Sequence, residues 1–365
     1  MKISLLRRRY SAVGGAERFT LRLAQMLFKR GHAVSICAES WPDARDGTYK
    51  IVHFRSGNVK AYARAAQEYV RDASDSLILS LERTLKQDIY RAGDGVHAAW
   101  LERRARFISP WKRAFSSWDP KHRSLLYLEK QVFTPEACAW IVSNSQMVKR
   151  EILQRFDYPA DRIRAIHPGV DLEKFQPCQN ATERLERRKQ LGLPLDDVIW
   201  SFVGSGFERK GLKWAIEIAA ALQIPPVLAI LGRGSQSPYR ELARKLGVSA
   251  HFLPLGTEAQ DVYHASDAFI LPTIYDPCSN ACLEAAACGL PIITTMANGA
   301  AEYVSGVFFE DPSHTEICAQ ACAGLNRPWS LDQLTRREQL DERPCWDALM
   351  QLTREAAAAR GIPPG

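Results

Sequence analysis

Two carboxylates and a pair of adjacent cations are the residues of this sequence best placed to do chemistry. Asp276 opens the segment Asp276-Pro277-Cys278-Ser279-Asn280-Ala281-Cys282-Leu283-Glu284, so Glu284 follows it by eight positions. The stretch Pro277 to Asn280 reads as a loop closing on a helix start, with Ser279 or Asn280 as N-cap. Such a start can hold a phosphate through unpaired backbone N–H groups and the helix dipole. Two carboxylates at one helix mouth suit paired hydroxyls, those of a sugar and of a ribose. The plainer reading is a cap residue followed by an ordinary helix Glu.

The cations are Arg209 and Lys210, inside Gly204-Ser205-Gly206-Phe207-Glu208-Arg209-Lys210-Gly211. This stretch nearly fits two phosphate-binding patterns and fits neither. A dinucleotide fingerprint begun at Gly204 needs glycine where Arg209 stands. A P-loop begun at Gly206 needs Lys and then Ser or Thr where Leu212 and Lys213 stand. What remains is a Gly-rich turn with two cations, suited to the growing negative charge of a diphosphate leaving group. A solvated basic turn is the alternative. Gly14 and Gly15, between a short apolar run and a helical pattern, allow a close backbone approach to a ligand or simply form a tight loop.

Two further segments stand out. In Asp88-Ile89-Tyr90-Arg91-Ala92-Gly93-Asp94-Gly95-Val96-His97, a Gly-Asp-Gly turn exposes Asp94 and aims His97 nearby; Glu82 and Arg83 are within reach in sequence. From Trp100 to Arg123, the aromatics Trp100, Phe107, Trp111, Phe115 and Trp118 alternate with Arg103, Arg104, Arg106, Lys112, Arg113, Lys121 and Arg123. Cations interleaved with interfacial aromatics suit an anionic membrane surface. Nucleic acid could use the same chemistry, and core aromatics under charged helices are the bland alternative; the membrane surface is favoured and nucleic acid is not expected.

The elements that must position these residues alternate between strand and helix. Ile3 to Leu6, Val34 to Ala38, Ile51 to Phe54, Leu77 to Leu79 and Ile163 to Ile166 read as strands in a first half. Val198 to Val203, Val227 to Leu231, Ala250 to Phe252, Ala268 to Leu271 and Ile292 to Thr294 do so in a second. A helix from about Glu17 to Arg30 carries Phe19, Leu23, Met26 and Leu27 on one face. This alternation indicates two doubly wound parallel sheets. Ligands then sit in a cleft beyond the carboxyl ends of the strands, which is where the segments above fall. The polar run from Gln176 to Pro194 reads as a linker, and the chain from Trp329 onward as helical.

Composition fits this reading. The chain has 365 residues, 46% apolar and 24% charged, enough for two α/β domains. No stretch of 18 apolar residues and no secretory leader is read from it. The net charge of +7 favours an anionic partner. Nine cysteines without close pairing read as reduced thiols of a cytoplasmic protein. Cys278, Cys282, Cys288, Cys318 and Cys322 lack both C-x-x-C spacing and companion histidines, so no metal is expected.

Taken together, Tyr275-Asp276-Pro277-x-Ser279-Asn280-x-x-Leu283-Glu284-Ala285-x-Ala287-x-Gly289-Leu290-Pro291-Ile292 resembles the carboxylate motif of the family-4 retaining glycosyltransferases. Val142-Ser143-Asn144-Ser145, Pro168-Gly169-Val170-Asp171 with Phe175, Gly14-Gly15-Ala16-Glu17 and Arg209-Lys210-Gly211 resemble further landmarks of that family in order and spacing. The lipopolysaccharide-core glucosyltransferase I group is the most similar.

The resemblance implies a GT-B fold, with an acceptor-binding domain over residues 1–172, a nucleotide-sugar domain over 173–345 and a helical tail over 346–365. It implies transfer of a hexose from a nucleotide-diphosphate sugar, UDP-glucose or similar, to a glycolipid or lipopolysaccharide-core acceptor. No metal or cofactor is implied. By the same resemblance Gly14, Gly15, Arg209, Lys210, Asn280 and Ala281 attend the diphosphate and Glu284 the ribose. Asp276 attends the donor sugar, and Asp94 and His97 face the reaction. Arg103, Arg104, Arg106, Trp111, Lys112 and Arg113 meet an acceptor or the cytoplasmic face of the inner membrane. Asp276 stands where the family usually has Glu, one methylene longer, which bears on sugar choice. A nucleotide-sugar 2-epimerase and a non-catalytic nucleotide-sugar-binding module are the competing readings.

Overall fold

The computed structural model describes residues 1–10, 15–44, 46–109, 111, 118–326 and 333–363. Two compact units divide the chain, one of residues Met1–His167 and Arg343–Gly365, the other of Pro168–Glu342.

The first unit is built on a seven-stranded sheet: β1 (Lys2–Leu6), β2 (Ala33–Ala38), β3 (Lys50–His53), β4 (Ser76–Ser80), β5 (Gln87–Ala92), β6 (Cys138–Ser143) and β7 (Ile163–Ala165). The spatial order is β3-β2-β1-β4-β5-β6-β7, every pair parallel. All five residues of β4 are buried, as a parallel strand covered on both faces requires. The order reverses between β1 and β4, which opens a crevice beyond their carboxyl ends.

The second unit carries six strands: β8 (Ile199–Val203), β9 (Val227–Leu231), β10 (Ala250–Phe252), β11 (Ala268–Leu271), β12 (Ile292–Thr295) and β13 (Gly306–Phe309). Their order, β10-β9-β8-β11-β12-β13, is again all parallel. Its reversal lies between β8 and β11. The sequence reading of an α/β chain with two doubly wound sheets is what the structure shows.

Four details differ from that reading. Residues 87–92 form a fully buried central strand, although Asp88 and Arg91 interrupt any apolar run. Tertiary partners satisfy these charges. Asp88 accepts the Ile78 amide at 2.7 Å and pairs with Arg360 at 2.9 Å, while the Arg91 guanidinium lies 3.7 Å from the centre of the Phe19 ring. Strands β6 and β13 were likewise not expected.

The expected linker is part of the second unit. Within it, Asn180 caps a helix over Ala181–Gln190 through the Glu183 amide, at 2.9 Å. Arg188 of that helix is buried, pairing with Asp267 at 2.8 Å and donating to the carbonyls of Ala265, Leu195 and Asp197. The polar, charged composition here reflects a mostly exposed helix that is anchored by the buried pairing of Arg188.

Finally, the unit boundary falls at 167/168 and not 172/173, and the last helix, Glu342–Ala359, is no separate tail. Its Trp346, Leu349, Met350, Leu352, Ala356 and Ala357 belong to the core that holds Ile3, Leu5, Leu23 and Leu77 of the first unit. Trp346 stacks on Phe19 with ring centres 5.2 Å apart. The apolar stripe of this helix has to be buried somewhere, and the chain returns to do it.

Candidate active site

In the second unit, the chain leaves β8 through Gly204-Ser205-Gly206, makes a four-residue helix Phe207–Lys210, and turns at Gly211 into the helix Leu212–Ala220. Gly211 has φ +80°, and a Cβ there would overlap the carbonyl of Pro272, just past β11. Glycine is therefore required for the two loops at the switch point to close on one another. The contact is reinforced by Arg209, whose carbonyl accepts from Thr273 Oγ1 at 2.9 Å and the Ile274 amide at 3.0 Å. Its guanidinium donates to the Tyr275 carbonyl at 3.3 Å.

Lys210 forms an ion pair with Asp276 through Nζ and Oδ2. Both side chains are largely buried, at 13% and 8% exposed. Burial pushes the Asp276 carboxyl upward, but the charges of Lys210 and Arg209 outweigh it and hold the group below its ordinary range. The Asp276 backbone is clamped as well: its N–H donates to the Ala297 carbonyl and its carbonyl accepts from Gly299, both at 2.9 Å. Between them Asn298, 1% exposed, accepts from the amides of Ser279 and Ala300 at 3.1 Å each and donates to Thr294 Oγ1 at 3.0 Å. Asn298 thus ties the loop after β12 to the Asp276 loop. Its role was not read from the sequence, where Asn298-Gly299 resembles any surface turn.

The helix that follows starts at Asn280, with Ser279 as N-cap but no side-chain cap bond to its first amides. Asn280 and Ala281 are half-buried there, and Glu284 one turn on is half-buried while Leu283 and Ala286 are buried. Glu284 Oε2 accepts the Tyr263 hydroxyl at 3.2 Å. Tyr263, fully buried, was also missed in the sequence, because nothing in the pattern separates an orienting tyrosine from a core one. Arg209 and Lys210 thus meet the Tyr275–Asp276 loop at the switch point, and Asn280, Ala281 and Glu284 stand on the first turns of the helix that follows it.

In the first unit, Arg7 directly follows β1 and pairs with Glu17 at 3.0 Å and with Glu82, after β4, at 3.3 Å. Burial raises the Glu82 carboxyl although Arg7 opposes it. Gly15 opens the helix that carries Glu17; Gly14 lies outside the described residues.

Asp94 sits at the tip of the turn after β5 with its side chain 64% exposed, and its carboxylate lies 3.9 Å from Arg83. Arg83 is buried and donates to the Gly95 carbonyl at 2.8 Å. Its charge is matched by Glu129, 3.4 Å away and 1% exposed. Glu129 belongs to the helix Pro120–Val132, and its two carboxylate oxygens accept the amides of His97 and Ala98 at 2.5 and 3.0 Å. It is thus the cap of the helix His97–Ala105, which has no side-chain cap of its own. No sequence pattern pointed to Glu129, since the cap comes from 32 residues downstream.

The His97 ring stacks on Trp100, with centres 5.3 Å apart, and its Nε2 lies 3.2 Å from His122 Nδ1. Burial, then the charges of Arg83 and His122, lower the His97 pKa to about 4. A neutral imidazole at physiological pH results, able to share a hydrogen bond but unable to act as a cation.

Of the basic-aromatic segment, Lys112 and Arg113 lie outside the described residues. Trp111 and Trp118 are each 78% exposed, and Arg106 is exposed. Arg103 pairs with Glu151 at 3.0 Å, and Arg104 lies 5.5 Å from the Trp100 ring centre. Among the described residues, no helix is long and apolar enough to cross a membrane.

Two family models divide the chain between them. Residues 13–174 match "Glycosyltransferase Family 4" and residues 183–321 match "Glycosyl transferases group 1". Lipopolysaccharide glucosyltransferase WaaG of Escherichia coli is 22% identical over 309 residues, 81% of each chain. A D-inositol 3-phosphate glycosyltransferase of Saccharomonospora viridis is 31% identical over 275 residues, 67% of this chain and 62% of the relative. Among solved structures, WaaG superimposes with a TM-score of 0.73 at 20% identity, covering 99% of this chain and 96% of its own. HepE of Anabaena, solved with UDP-glucose, does so with a TM-score of 0.66 at 16% identity over the whole of both chains. The fold is thus the GT-B fold, and neither a 2-epimerase nor a pure binding module is favoured. With its switch-point cations and carboxylates on one unit and a matching family-4 domain on the other, the chain belongs to the family-4, group 1 glycosyltransferases and is an enzyme of that class.

Proposed function

We propose that this enzyme transfers a hexose, with retention of anomeric configuration, from a UDP-sugar, glucose first among them, to a lipid-linked or lipopolysaccharide-core hydroxyl. The observation that carries the donor half is the convergence of Arg209, Lys210, Asp276 and Glu284 around the β8/β11 switch point. On this reading Arg209 and Lys210 take the diphosphate, whose charge grows as the glycosidic bond breaks. The amides of Asn280 and Ala281 assist at the helix start. Glu284, oriented by Tyr263, takes the ribose hydroxyls, and Asp276 the sugar hydroxyls. No metal is required on this reading, because the two cations supply the positive charge.

The Lys210–Asp276 pair adds a step to this picture. With no donor bound, the two charges neutralise one another in a largely buried place. An arriving diphosphate competes with Asp276 for Lys210, and the released carboxylate becomes available to sugar hydroxyls. Binding of the phosphates and recognition of the sugar are coupled in this way.

The donor and acceptor classes also rest on the relatives: WaaG is named a lipopolysaccharide glucosyltransferase, and HepE is described in complex with UDP-glucose. On the first unit, Asp94 is the exposed carboxylate able to accept from an acceptor hydroxyl, with His97 neutral beside it. Trp111, Trp118 and Arg106 suit peripheral binding to an anionic membrane on its cytoplasmic face, where a lipid-linked acceptor would be met.

The test is donor turnover. The purified enzyme, given UDP-glucose, UDP-galactose, GDP-mannose and UDP-N-acetylglucosamine in turn, is expected to hydrolyse UDP-glucose fastest, with the α-anomer as first product by NMR. Preference for a guanosine donor, or a β-anomer from an α-linked donor, overturns the reading.

A further inference from the structure

Away from the donor residues, three side chains of different metal-ligating type converge where the 176–183 segment packs on the helix Ala259–His264. Cys178 Sγ, a Glu183 carboxylate oxygen and a His264 ring nitrogen all lie within 4.8 Å of one another. Cys178 Sγ is 3.6 Å from Glu183 Oε2, and His264 Nδ1 is 3.4 Å from Glu183 Oε1. We propose that this trio is a binding site for a divalent transition-metal ion of the zinc class.

The imidazole carries the case. His264 is 5% exposed, and its Nε2 lies 2.7 Å from the Gln176 carbonyl, an acceptor that takes a proton only from Nε2–H. In the neutral ring Nδ1 then bears the lone pair, and Nδ1 is buried with no hydrogen-bond partner. A histidine fixed by donating one nitrogen to a backbone carbonyl while the other points into a cluster of ligands has the arrangement of a metal-bound imidazole. Nδ1 thus faces the Glu183 carboxylate across 3.4 Å without a hydrogen bond to it, a position that a cation between the two would fill.

Glu183 is held for the same task. Its Oε2 accepts the Gln179 amide at 2.8 Å, which fixes the carboxylate, and the guanidinium of Arg187 lies 4.0 Å from Oε1. Cys178 is half-buried, and its S–H has two acceptors, the Asn180 carbonyl at 3.3 Å and Glu183 at 3.6 Å, for one proton. On binding, the thiol releases that proton to solvent and the thiolate joins the metal. One thiolate and one carboxylate cancel a divalent charge, so the complex is neutral, which a half-buried place favours. Sulfur, nitrogen and oxygen donors at this spacing, with water as the fourth ligand, suit tetrahedral zinc over magnesium or calcium. The ion would staple the segment before the helix Ala181–Gln190 to the helix that ends at His264. The sequence hides this site, because its ligands are 5 and 81 residues apart.

The full-length enzyme tests the proposal by direct metal binding. Protein stripped with a chelator is titrated with zinc against a chromophoric competitor, and separately with cobalt, whose thiolate charge-transfer band reports sulfur ligation. Expected are one tight equivalent of zinc, the cobalt band, and a higher unfolding temperature with zinc than with chelator. Cys178→Ser and His264→Gln should each weaken zinc by about 100-fold or more, at least what is lost when a supporting residue alone is removed, and Cys178→Ser should abolish the band. Cys318→Ser, on a different helix, should leave both unchanged. Circular dichroism of each variant establishes that it is folded, and Glu183→Gln, which keeps an acceptor for the Gln179 amide, stands in for any that is not. The proposal is overturned if wild type shows no tight equivalent, if folded Cys178→Ser and His264→Gln bind as wild type does, or if Cys318→Ser alone removes binding.

Discussion

The ammonium of Lys210 rests on the carboxylate of Asp276, two side chains 66 residues apart that the β8 and β11 loops bring together. Breaking one side of such a pair leaves the other charge buried. Lys210→Met is therefore expected to destabilise the second unit by about 3–5 kcal/mol, and Lys210→Met with Asp276→Asn by much less. Denaturant melts of the two variants check this; equal losses would show that the pair contributes nothing as a pair.

The same contact sets a pH dependence. The Asp276 carboxyl in the folded chain lies below its ordinary value. Its stabilisation is thus fully present above about pH 4, the unfolded carboxylate range, and is lost as pH falls through the lower folded value. Wild type should lose stability over that acid range more steeply than the Lys210→Met/Asp276→Asn variant. Parallel acid limbs for the two would remove Asp276 as the source.

Charge on the leaving diphosphate, as proposed, gives the third expectation. Arg209→Ala and Lys210→Ala should each reduce kcat/KM by about 10²–10³-fold, since charge matters most as the leaving group forms. Steady-state rates with the preferred UDP-sugar decide it, and near-wild-type rates with both replaced would reject the assignment.

The proposed ribose and sugar contacts separate by calorimetry with free UDP. Glu284→Ala should weaken UDP by about 10- to 100-fold, the worth of hydrogen bonds to a charged group. Tyr263→Phe should weaken it less, because Tyr263 only orients Glu284. Asp276→Asn should bind UDP as tightly as wild type or tighter, since Lys210 is set free, while turnover falls. A matching loss of UDP affinity in Glu284→Ala and Asp276→Asn would mean the roles are wrongly divided.

His97 is expected to titrate near pH 4, far below an ordinary histidine. Folding favours its neutral form, so the first unit loses stability as pH drops from about 6.5 toward that value. NMR of the imidazole signals reads the titration directly, and His97→Gln should flatten the stability profile over the same window. A His97 midpoint at 6 or above is incompatible with the stacked, partly buried ring.

The proposed membrane binding turns on the tryptophans more than on all the arginines alike. Arg103 is committed to Glu151, whereas Trp111 and Trp118 are each 78% exposed. Liposomes with anionic lipid should sediment wild type at low salt and release it at high salt. Trp111→Ser with Trp118→Ser should bind weakly, and Arg106→Gln with Lys112→Gln and Arg113→Gln less tightly than wild type, by about 1 kcal/mol per cation. Unaltered sedimentation of both variants would place the membrane face elsewhere.

How much of this was legible beforehand depends on where each partner lies in the chain. Apolar runs such as Val227–Leu231 and Ala268–Leu271, bounded by turn residues, announce buried strands locally, and both stand where the periodicity puts them. Arg209, Lys210, Asp276 and Glu284 stood out as candidates because loops after parallel strands are where such a fold presents ligands. These are statements about neighbours in sequence. Strand β5, with Asp88 and Arg91, was invisible because what makes those charges tolerable comes from Arg360 and Phe19. The helix Ala181–Gln190 looked like a linker for the same reason, its Arg188 being neutralised by Asp267, 79 residues on. Glu129, Asn298 and Tyr263 support site loops from other elements, and the His264 lone pair faces Cys178 and Glu183 only once the chain is folded. The sequence by itself determined the two sheets, the loops that bear the candidate residues and the ionisable groups on them. Tertiary structure alone decided which charge answers which, because an ion pair or a cap is a relation in space between residues that local patterning cannot join.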